Sequence, residues 1–210
     1  VMGILNVTPD SFSDGGEFNS VEKAVAQAKK MVADGAKIID VGGESTRPGY
    51  TRISDDEEIT RVVPVIEALV KEVPAIISID TYKSHVARAA INAGAHMIND
   101  IWGAKADPDM AKVAAELNVP IILMHNRKTD AYTDYFAEFL QDLEQSIEIV
   151  KVAGVPDAHI LLDPGIGFVK NLAESIETMQ RLDELVALGY PILLATSRKR
   201  LIGAVLDLPV

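Results

Sequence analysis

The fold is decided near the start of the chain, by Gly3-Ile-Leu-Asn-Val-Thr-Pro-Asp-Ser-Phe-Ser-Asp-Gly-Gly16. This stretch begins as an apolar run and becomes polar at Asn6. Pro9, Gly15 and Gly16 are incompatible with a helix or a continued strand, so the change indicates a buried strand that ends in a long loop. The loop carries an amide, two carboxylates, three hydroxyls and one aromatic ring, at Asn6, Asp10, Asp14, Thr8, Ser11, Ser13 and Phe12. A long polar loop in this position is more often a functional site than a connection, and a solvated turn is the alternative.

Six further short apolar runs follow, and segments with helical periodicity separate them. We predict strands at 37–42, 75–80, 96–100, 119–124, 159–163 and 191–195. We predict helices at 21–34, 55–72, 83–93, 107–118, 134–153 and 172–188, and a further helix from 201. The strands are apolar throughout instead of alternating, which is typical of parallel strands covered by helices. The sequence therefore predicts an α/β fold.

Seven strand–helix units fit a TIM (β/α)8 barrel that lacks its eighth βα unit and its N-terminal lead-in, since a complete barrel has about 250 residues. An open, doubly wound sheet is the alternative. We favour the barrel because polar residues follow nearly every strand instead of gathering at one switch point. No linker, repeat or low-complexity segment divides the sequence, so we expect residues 1–210 to form a single domain, truncated at both ends.

Composition limits the classes of function. The net charge of −11 argues against binding to nucleic acid or to an anionic membrane, although local cations and backbone amides can still hold a small anionic ligand. The sequence has no cysteine, which excludes disulfides, thiolate metal sites and cysteine nucleophiles and fits a cytoplasmic location. No apolar run approaches the roughly 18 residues of a membrane span, and we expect no signal peptide.

The predicted strand ends are polar, and functional side chains of parallel barrels gather at such ends. Asp80, Asn99, Asp163 and Lys199 are therefore expected to converge on one mouth of the barrel. Their carboxylates, amide and ammonium supply both acceptors and donors, which suits a flat heterocycle with an amino-pyrimidinone edge. Aspartates in a partly dry pocket also stabilise a developing positive charge. For any one strand-end aspartate, capping of a helix or a loop amide is the alternative role.

Two cationic positions stand out. Arg47, in a glycine-rich loop, offers a guanidinium fork for a carboxylate or phosphate, and a surface ion pair is the alternative. Lys199 lies beside Arg198 and Arg200 at the start of a helix. This cluster of cations favours a site for an anionic group, and a solvated run of surface charges is the alternative. The four histidines make no metal pattern, and His125, the one expected at the mouth, is predicted to be structural.

Six strand ends resemble those of the bacterial dihydropteroate synthases. The matching motifs are Asn6-Val-Thr-Pro-Asp-Ser-Phe-Ser-Asp-Gly-Gly16, Gly42-Gly-Glu-Ser-Thr-Arg-Pro-Gly49, Ile79-Asp-Thr-Tyr82, Ile98-Asn-Asp100, Leu162-Asp-Pro-Gly-Ile-Gly-Phe168 and Thr196-Ser-Arg-Lys199. They occur in the family's order across essentially all 210 residues, and the first two are very specific.

The resemblance implies a TIM-barrel transferase of folate biosynthesis, a sulfonamide target, that joins 7,8-dihydropterin-6-ylmethyl diphosphate to 4-aminobenzoate and releases pyrophosphate. By matching positions it implies that the pterin ring is held by Asp80, Asn99, Asp163 and Lys199, with Met124 and Phe168 nearby. It further implies that Asn6 contacts the pyrophosphate and its Mg²⁺, and that the aminobenzoate site is shaped by Phe12, Thr46, Arg47 and Pro48. A homodimer is also implied.

The implied mechanism is dissociative, with a pterin-methyl cation left by the departing pyrophosphate. Its implied catalytic residues are Asp80, Asp14 and Lys199. The two aspartates would stabilise the cation, Mg²⁺ would neutralise the leaving group, and closure of the first two loops would exclude water.

The chain departs from the family pattern in three places. Ala195 stands where many members have glycine, Arg200 stands where many have serine, and the family's Arg-x-His phosphate-binding motif does not occur in these 210 residues. Two alternatives therefore stay open. One is a methyltetrahydrofolate methyltransferase domain, which would share the pocket aspartates and asparagine without needing the first loop or Lys199. The other is a non-catalytic pterin-binding barrel.

Overall fold

The computed structural model describes residues 1–8, 16–44 and 52–207, with the side chains of residues 16–20 left out of the description. The chain divides into two compact units, Val1–Asn99 and Asp100–Val210. The single domain expected over residues 1–210 stays a prediction.

The first unit is built from parallel strands that alternate with helices. Its elements are β1 (Met2–Asn6), α1 (Gly16–Ala33), β2 (Ile38–Gly42), α2 (Asp55–Glu72), β3 (Ile76–Asp80), α3 (Ser84–Asn92) and β4 (Met97–Asp100), whose last residue begins the second unit. Each strand pairs in parallel with the next strand along the chain. A doubly wound sheet requires a reversal of strand order, and β1 to β4 show none. The predicted α/β fold is confirmed, and this order is that of a TIM barrel.

Helix α2 shows how the sequence directs the packing of this unit. The Ser54 hydroxyl accepts a hydrogen bond from the backbone N–H of Glu57 over 3.2 Å and so caps the first turn. The helix then buries residues at spacings of three and four against the strands: Glu58, Val62, Val65, Ile66 and Leu69. One member of this otherwise apolar stripe, Glu58, is charged.

The second unit continues the alternation. Its elements are α4 (Met110–Leu117), β5 (Ile121–Met124), α5 (Tyr135–Val152), β6 (Ile160–Asp163), α6 (Leu172–Gln180), α7 (Leu182–Val186) and α8 (Arg200–Leu206). Strands β5 and β6 pair in parallel, with Met124 opposite Asp163. Among the described residues no helix is long and apolar enough to cross a membrane.

The predicted seventh strand, 191–195, is reduced to a single parallel bridge between Leu162 and Ile192. The N–H of Leu162 donates to the carbonyl of Pro191 over 2.9 Å, and the N–H of Leu193 donates to the carbonyl of Leu162 over 2.8 Å. The next bond of a parallel ladder requires an N–H from Pro164 in one direction and from Pro191 in the other, and proline has none. Pairing with β6 therefore stops after one residue pair.

The predicted helices also differ from the structure, and one difference is that α4 begins at Met110, three residues after the predicted Asp107. Helix α1 begins at Gly16, five residues before the predicted Val21. The single helix predicted over 172–188 is divided into α6 and α7, because Arg181 adopts φ −108° and ψ 25° between them.

Candidate active site

The strand ends of the first unit form a row. Asn6 lies opposite Gly42 on β2, Gly42 lies opposite Asp80 on β3, and Asp80 lies opposite Asn99 on β4. A Cβ atom added to Gly42 would lie 3.4 Å from Oδ2 of Asp80 and 3.5 Å from Oδ1 of Asn6. The two side-chain oxygens therefore flank the space above this glycine. Three of the predicted site residues are brought together at one edge of the sheet.

Asn99 is oriented by a residue that the sequence analysis did not select. Its side-chain N–H donates to Oδ2 of Asp40, inside β2, over 2.8 Å, and both residues are buried. Burial raises the pKa of Asp40 above its ordinary value, against the opposing effect of this hydrogen bond. The carboxylate fixes which way the amide faces, and it leaves Oδ1 of Asn99 as an acceptor. A single aspartate within an apolar strand is the signal that marks this position.

A buried ion network, which we call the Lys83 network, lies beside this row. The ammonium of Lys83 donates to Oε2 of Glu44 over 2.8 Å, to Oε2 of Glu58 over 2.7 Å and to the carbonyl of Ile53 over 2.9 Å. The hydroxyl of Tyr82 donates to Oε1 of Glu44 over 2.7 Å, and the backbone N–H of Ile53 donates to Oε2 of the same residue over 2.8 Å. The three charged side chains are at most 5% exposed.

The charges of this network support one another. Burial disfavours ionisation of Glu44, but hydrogen bonds from Lys83, Tyr82 and Ile53 outweigh it and lower the pKa of Glu44. Burial likewise opposes the charge on Lys83, and the two glutamates nevertheless raise its pKa. For Glu58 the effect of burial exceeds that of the hydrogen bond from Lys83, and the pKa of Glu58 is raised. A buried cation between two carboxylates is thus held in its charged form.

In the second unit, four further predicted residues lie together. Asp163, opposite Met124 at the end of β6, accepts the backbone N–H of Gly165 at Oδ1 over 2.7 Å, which is the turn-capping role considered from the sequence. The ammonium of Lys199 lies 4.7 Å from the centre of the Phe168 ring, within range of a cation–π contact. Burial lowers the pKa of Lys199, while the charge of Asp163 opposes this shift.

His125 is fully buried, as expected for a structural residue. Burial lowers its pKa to about 4, so the ring is neutral. The ammonium group of Lys170 lies 2.8 Å from Nδ1, and Nε2 lies 3.2 Å from Oδ2 of Asp142. Lys170 also donates to the carbonyls of Gly165 and Phe168, over 3.1 Å each, and burial lowers its pKa to about 7. Lys170, which the sequence analysis did not select, thus holds the loop after β6.

Five predicted site residues lie outside the described residues: Phe12, Asp14, Thr46, Arg47 and Pro48. Within residues 1–8, 16–44 and 52–207, no group of three or more histidine, aspartate and glutamate side chains is placed to hold a metal ion. The oxygens that flank Gly42 nevertheless suit Mg²⁺, which prefers oxygen ligands and usually takes only one or two from protein when phosphates supply others.

Comparisons with known proteins agree with these motifs. The family model described as "Pterin binding enzyme" matches residues 2–209. A dihydropteroate synthase of Bacillus subtilis is 60% identical over 209 residues, which are 100% of this chain and 73% of the relative. A crystal structure of a Clostridium difficile dihydropteroate synthase, determined in the presence of pteroic acid, is 50% identical with a TM-score of 0.94 and covers 99% of this chain and 80% of its own. The Xanthomonas albilineans dihydropteroate synthase with 4-aminobenzoic acid is 44% identical with a TM-score of 0.92, over 100% and 77% of the two chains.

Proposed function

Since the chain belongs to the dihydropteroate synthases of the pterin-binding enzyme family, we propose that its polar strand ends bind the two substrates of that reaction. The chain is a transferase of folate biosynthesis, which condenses 7,8-dihydropterin-6-ylmethyl diphosphate with 4-aminobenzoate to give 7,8-dihydropteroate and pyrophosphate. The structural observation that carries the assignment of residues is the register row in which Asp80 lies between Gly42 and Asn99.

From family membership we assign recognition of the pterin ring to Asp80, Asn99, Asp163 and Lys199. The carboxylates accept hydrogen bonds from ring N–H and amino groups, and Lys199 donates to the ring carbonyl side. Met124 and Phe168 supply apolar contact with the flat ring. The orientation of Asn99 by Asp40 supports this assignment, because a fixed amide recognises one pattern of donors and acceptors.

In the proposed mechanism the bond between the pterin methylene carbon and the diphosphate oxygen breaks first, and its electron pair leaves with pyrophosphate. The resulting pterin-methyl cation is stabilised by the carboxylates of Asp80 and Asp14. The amino nitrogen of 4-aminobenzoate then attacks the methylene carbon and loses a proton to solvent. Phe12, Thr46, Arg47 and Pro48 are assigned to the aminobenzoate, with Arg47 facing its carboxylate.

Asn6 is assigned to the diphosphate and to Mg²⁺, because its amide oxygen and a carboxylate oxygen of Asp80 flank the same glycine. When bound, Mg²⁺ neutralises charge on the leaving pyrophosphate. We further propose a homodimer and a cytoplasmic location, both from family membership.

Pyrophosphate release from the pterin diphosphate, measured with Mg²⁺ in the presence and absence of 4-aminobenzoate, tests the proposal. We expect release that depends on aminobenzoate and is abolished in Asp80→Ala. If Asp80→Ala released pyrophosphate at the wild-type rate, the catalytic role assigned to Asp80 would be wrong. Pterin binding without any release would favour the non-catalytic pterin-binding barrel instead.

A further inference from the structure

The Lys83 network contacts both ends of one chain segment. Glu44 directly precedes residues 45–51, which lie outside the described residues. Arg52 directly follows them, and Ile53 is the next residue. Oε2 of Glu44 accepts the backbone N–H of Ile53, and the ammonium of Lys83 donates both to Glu44 and to the carbonyl of Ile53. One cation and one carboxylate therefore join the two ends directly.

The end at Glu44 is also held from its own side. The carbonyl of Gly43 accepts a hydrogen bond from Nη1 of Arg61 over 2.9 Å. A Cβ atom at Gly43 would lie 2.7 Å from Cγ1 of Val62 and 2.9 Å from Cγ of Glu58, so the backbone here packs directly on α2. Substitution of this glycine requires a shift of helix or strand end, and the position of Glu44 is therefore closely constrained.

The chemistry of the network exceeds what packing alone requires. A lysine and two glutamates are rarely this buried, and a well-packed apolar trio is often as stable as a buried ion cluster. What the ions add is directional hydrogen bonding, and it is aimed at the backbone N–H and carbonyl of Ile53. Glu58 differs from Glu44 in this respect, because its carboxylate accepts a hydrogen bond from Lys83, whereas the backbone N–H of Ile53 donates to Glu44.

We propose that Glu44 and Lys83 are positioning residues, which hold the two ends of segment 45–51 in place for binding of 4-aminobenzoate. This inference rests on the proposed function, in which Thr46, Arg47 and Pro48 of the same segment are assigned to that substrate. Neither Glu44 nor Lys83 is required to touch a substrate. Their effect is exerted through the fixed separation and direction of the segment's two ends.

A matched pair of variants separates positioning from stability. Glu44→Ala and Glu58→Ala each remove one buried carboxylate from Lys83 and leave the other, but only Glu44→Ala frees the N–H of Ile53. We expect Glu44→Ala to raise the KM for 4-aminobenzoate by about tenfold or more, the scale of losing hydrogen bonds to a charged group. The KM for the pterin diphosphate is expected to change by less than about twofold. Tyr82→Phe, which removes one bond to Glu44 and keeps the ring, is the milder variant in case Glu44→Ala does not fold.

Trypsin provides a readout that needs no catalysis. Trypsin cleaves after arginine, so the peptide bond between Arg52 and Ile53 is a tryptic site. The N–H of this peptide bond belongs to Ile53 and donates to Glu44. We expect cleavage there to be about tenfold faster in Glu44→Ala than in Glu58→Ala. Equal cleavage rates and equal KM values in the two variants would overturn the inference. Absence of aminobenzoate-dependent turnover in the wild-type chain would instead overturn the proposed function, while the proteolysis comparison would still decide the positioning role of Glu44.

Discussion

The side-chain N–H of Asn99 donates to Oδ2 of Asp40 over 2.8 Å, and neither residue is more than 9% exposed. The two residues lie on different strands of the first unit, and one of them is assigned to the substrate while the other lies deeper in the sheet. An amide has two faces of opposite hydrogen-bonding character, so a fixed carboxylate beneath it decides which face is offered. Asp40 thereby determines what Asn99 can recognise.

Substitution Asp40→Ala is expected to raise the KM for the pterin diphosphate by about tenfold, which is the scale of one lost side-chain hydrogen bond. The KM for 4-aminobenzoate is expected to stay within about twofold of wild type. Steady-state kinetics with each substrate varied in turn measures both values, and Asp34→Ala, an exposed aspartate after α1, is the control. An unchanged pterin KM would show that Asn99 needs no orientation by Asp40.

Substitution Lys199→Met is expected to lower kcat/KM for the pterin diphosphate by about ten- to a hundredfold, because it removes a charged donor and the contact with Phe168. Arg198→Met is the matched control, since Arg198 is the neighbouring cation and is exposed. If both variants lost activity equally, general positive charge would explain the result and a specific role for Lys199 would be refuted.

Asp100 is expected to make stability depend on pH. Its carboxylate is fully buried and accepts the backbone N–H groups of Trp102 and Ala104, each over 2.8 Å, and burial raises its pKa from 3.8 to about 6. The folded state therefore holds this proton more tightly than the unfolded state does. The contribution of Asp100 is greatest below pH 4 and is lost as the pH rises through 6.

Between pH 5 and pH 7 this loss amounts to about 1 kcal/mol of unfolding free energy, and Asp100→Asn should not show it. Urea unfolding of the wild type and of Asp100→Asn at pH 5 and pH 7 measures how much the unfolding free energy of each protein changes between the two pH values. Parallel pH dependence in the wild type and the variant would contradict the raised pKa of Asp100.

Two glycines with positive φ test the tight turn after β6. A Cβ atom at Gly165, where φ is 64°, would lie 2.2 Å from the carbonyl oxygen of His125, whereas at Gly189, where φ is 87°, it would meet nothing within 4 Å. Gly189→Ala is expected to cost about 1 kcal/mol through backbone strain alone. Gly165→Ala is expected to cost at least about 3 kcal/mol, because the backbone of His125 must move. Thermal unfolding measures both, and equal losses would mean that the turn adapts freely.

The fold follows from the sequence because its signals are local. The six strands found among the described residues all coincide with apolar runs, and glycines end most of the predicted helices. The end of each apolar run marks the end of a strand. The sequence therefore predicts Asn6, Asp80 and Asn99 at strand ends, and the structure has them at one edge of the sheet. The seventh strand is shortened by two prolines that lack the N–H needed to extend the ladder: Pro191, which the apolar run itself contains, and Pro164, which follows β6 and which the run does not reveal.

The supporting residues are harder to predict. Lys83 appears in the sequence as the first residue of a predicted helix, a position that is ordinarily exposed, and only tertiary packing buries it between Glu44 and Glu58. One clue was available, because Glu58 occupies the apolar stripe of α2. Lys170 offers no such clue, since its partners are two backbone carbonyls and a histidine 45 residues away.

The pairing of each strand with its successor has a consequence for how the first unit forms. Met2 pairs with Ile38, Ile38 pairs with Ile76, and Ser78 pairs with Met97, so every strand pairing is made across one intervening helix. Pairing with the next strand keeps each closed loop shorter than pairing with a more distant strand would, and the entropy cost of closing a loop rises with its length. Each βαβ segment contains both partners of its own strand pairing, so that pairing needs no sequence from further along the chain. We therefore expect the row of Asn6, Gly42, Asp80 and Asn99 to be completed from the N-terminus onward.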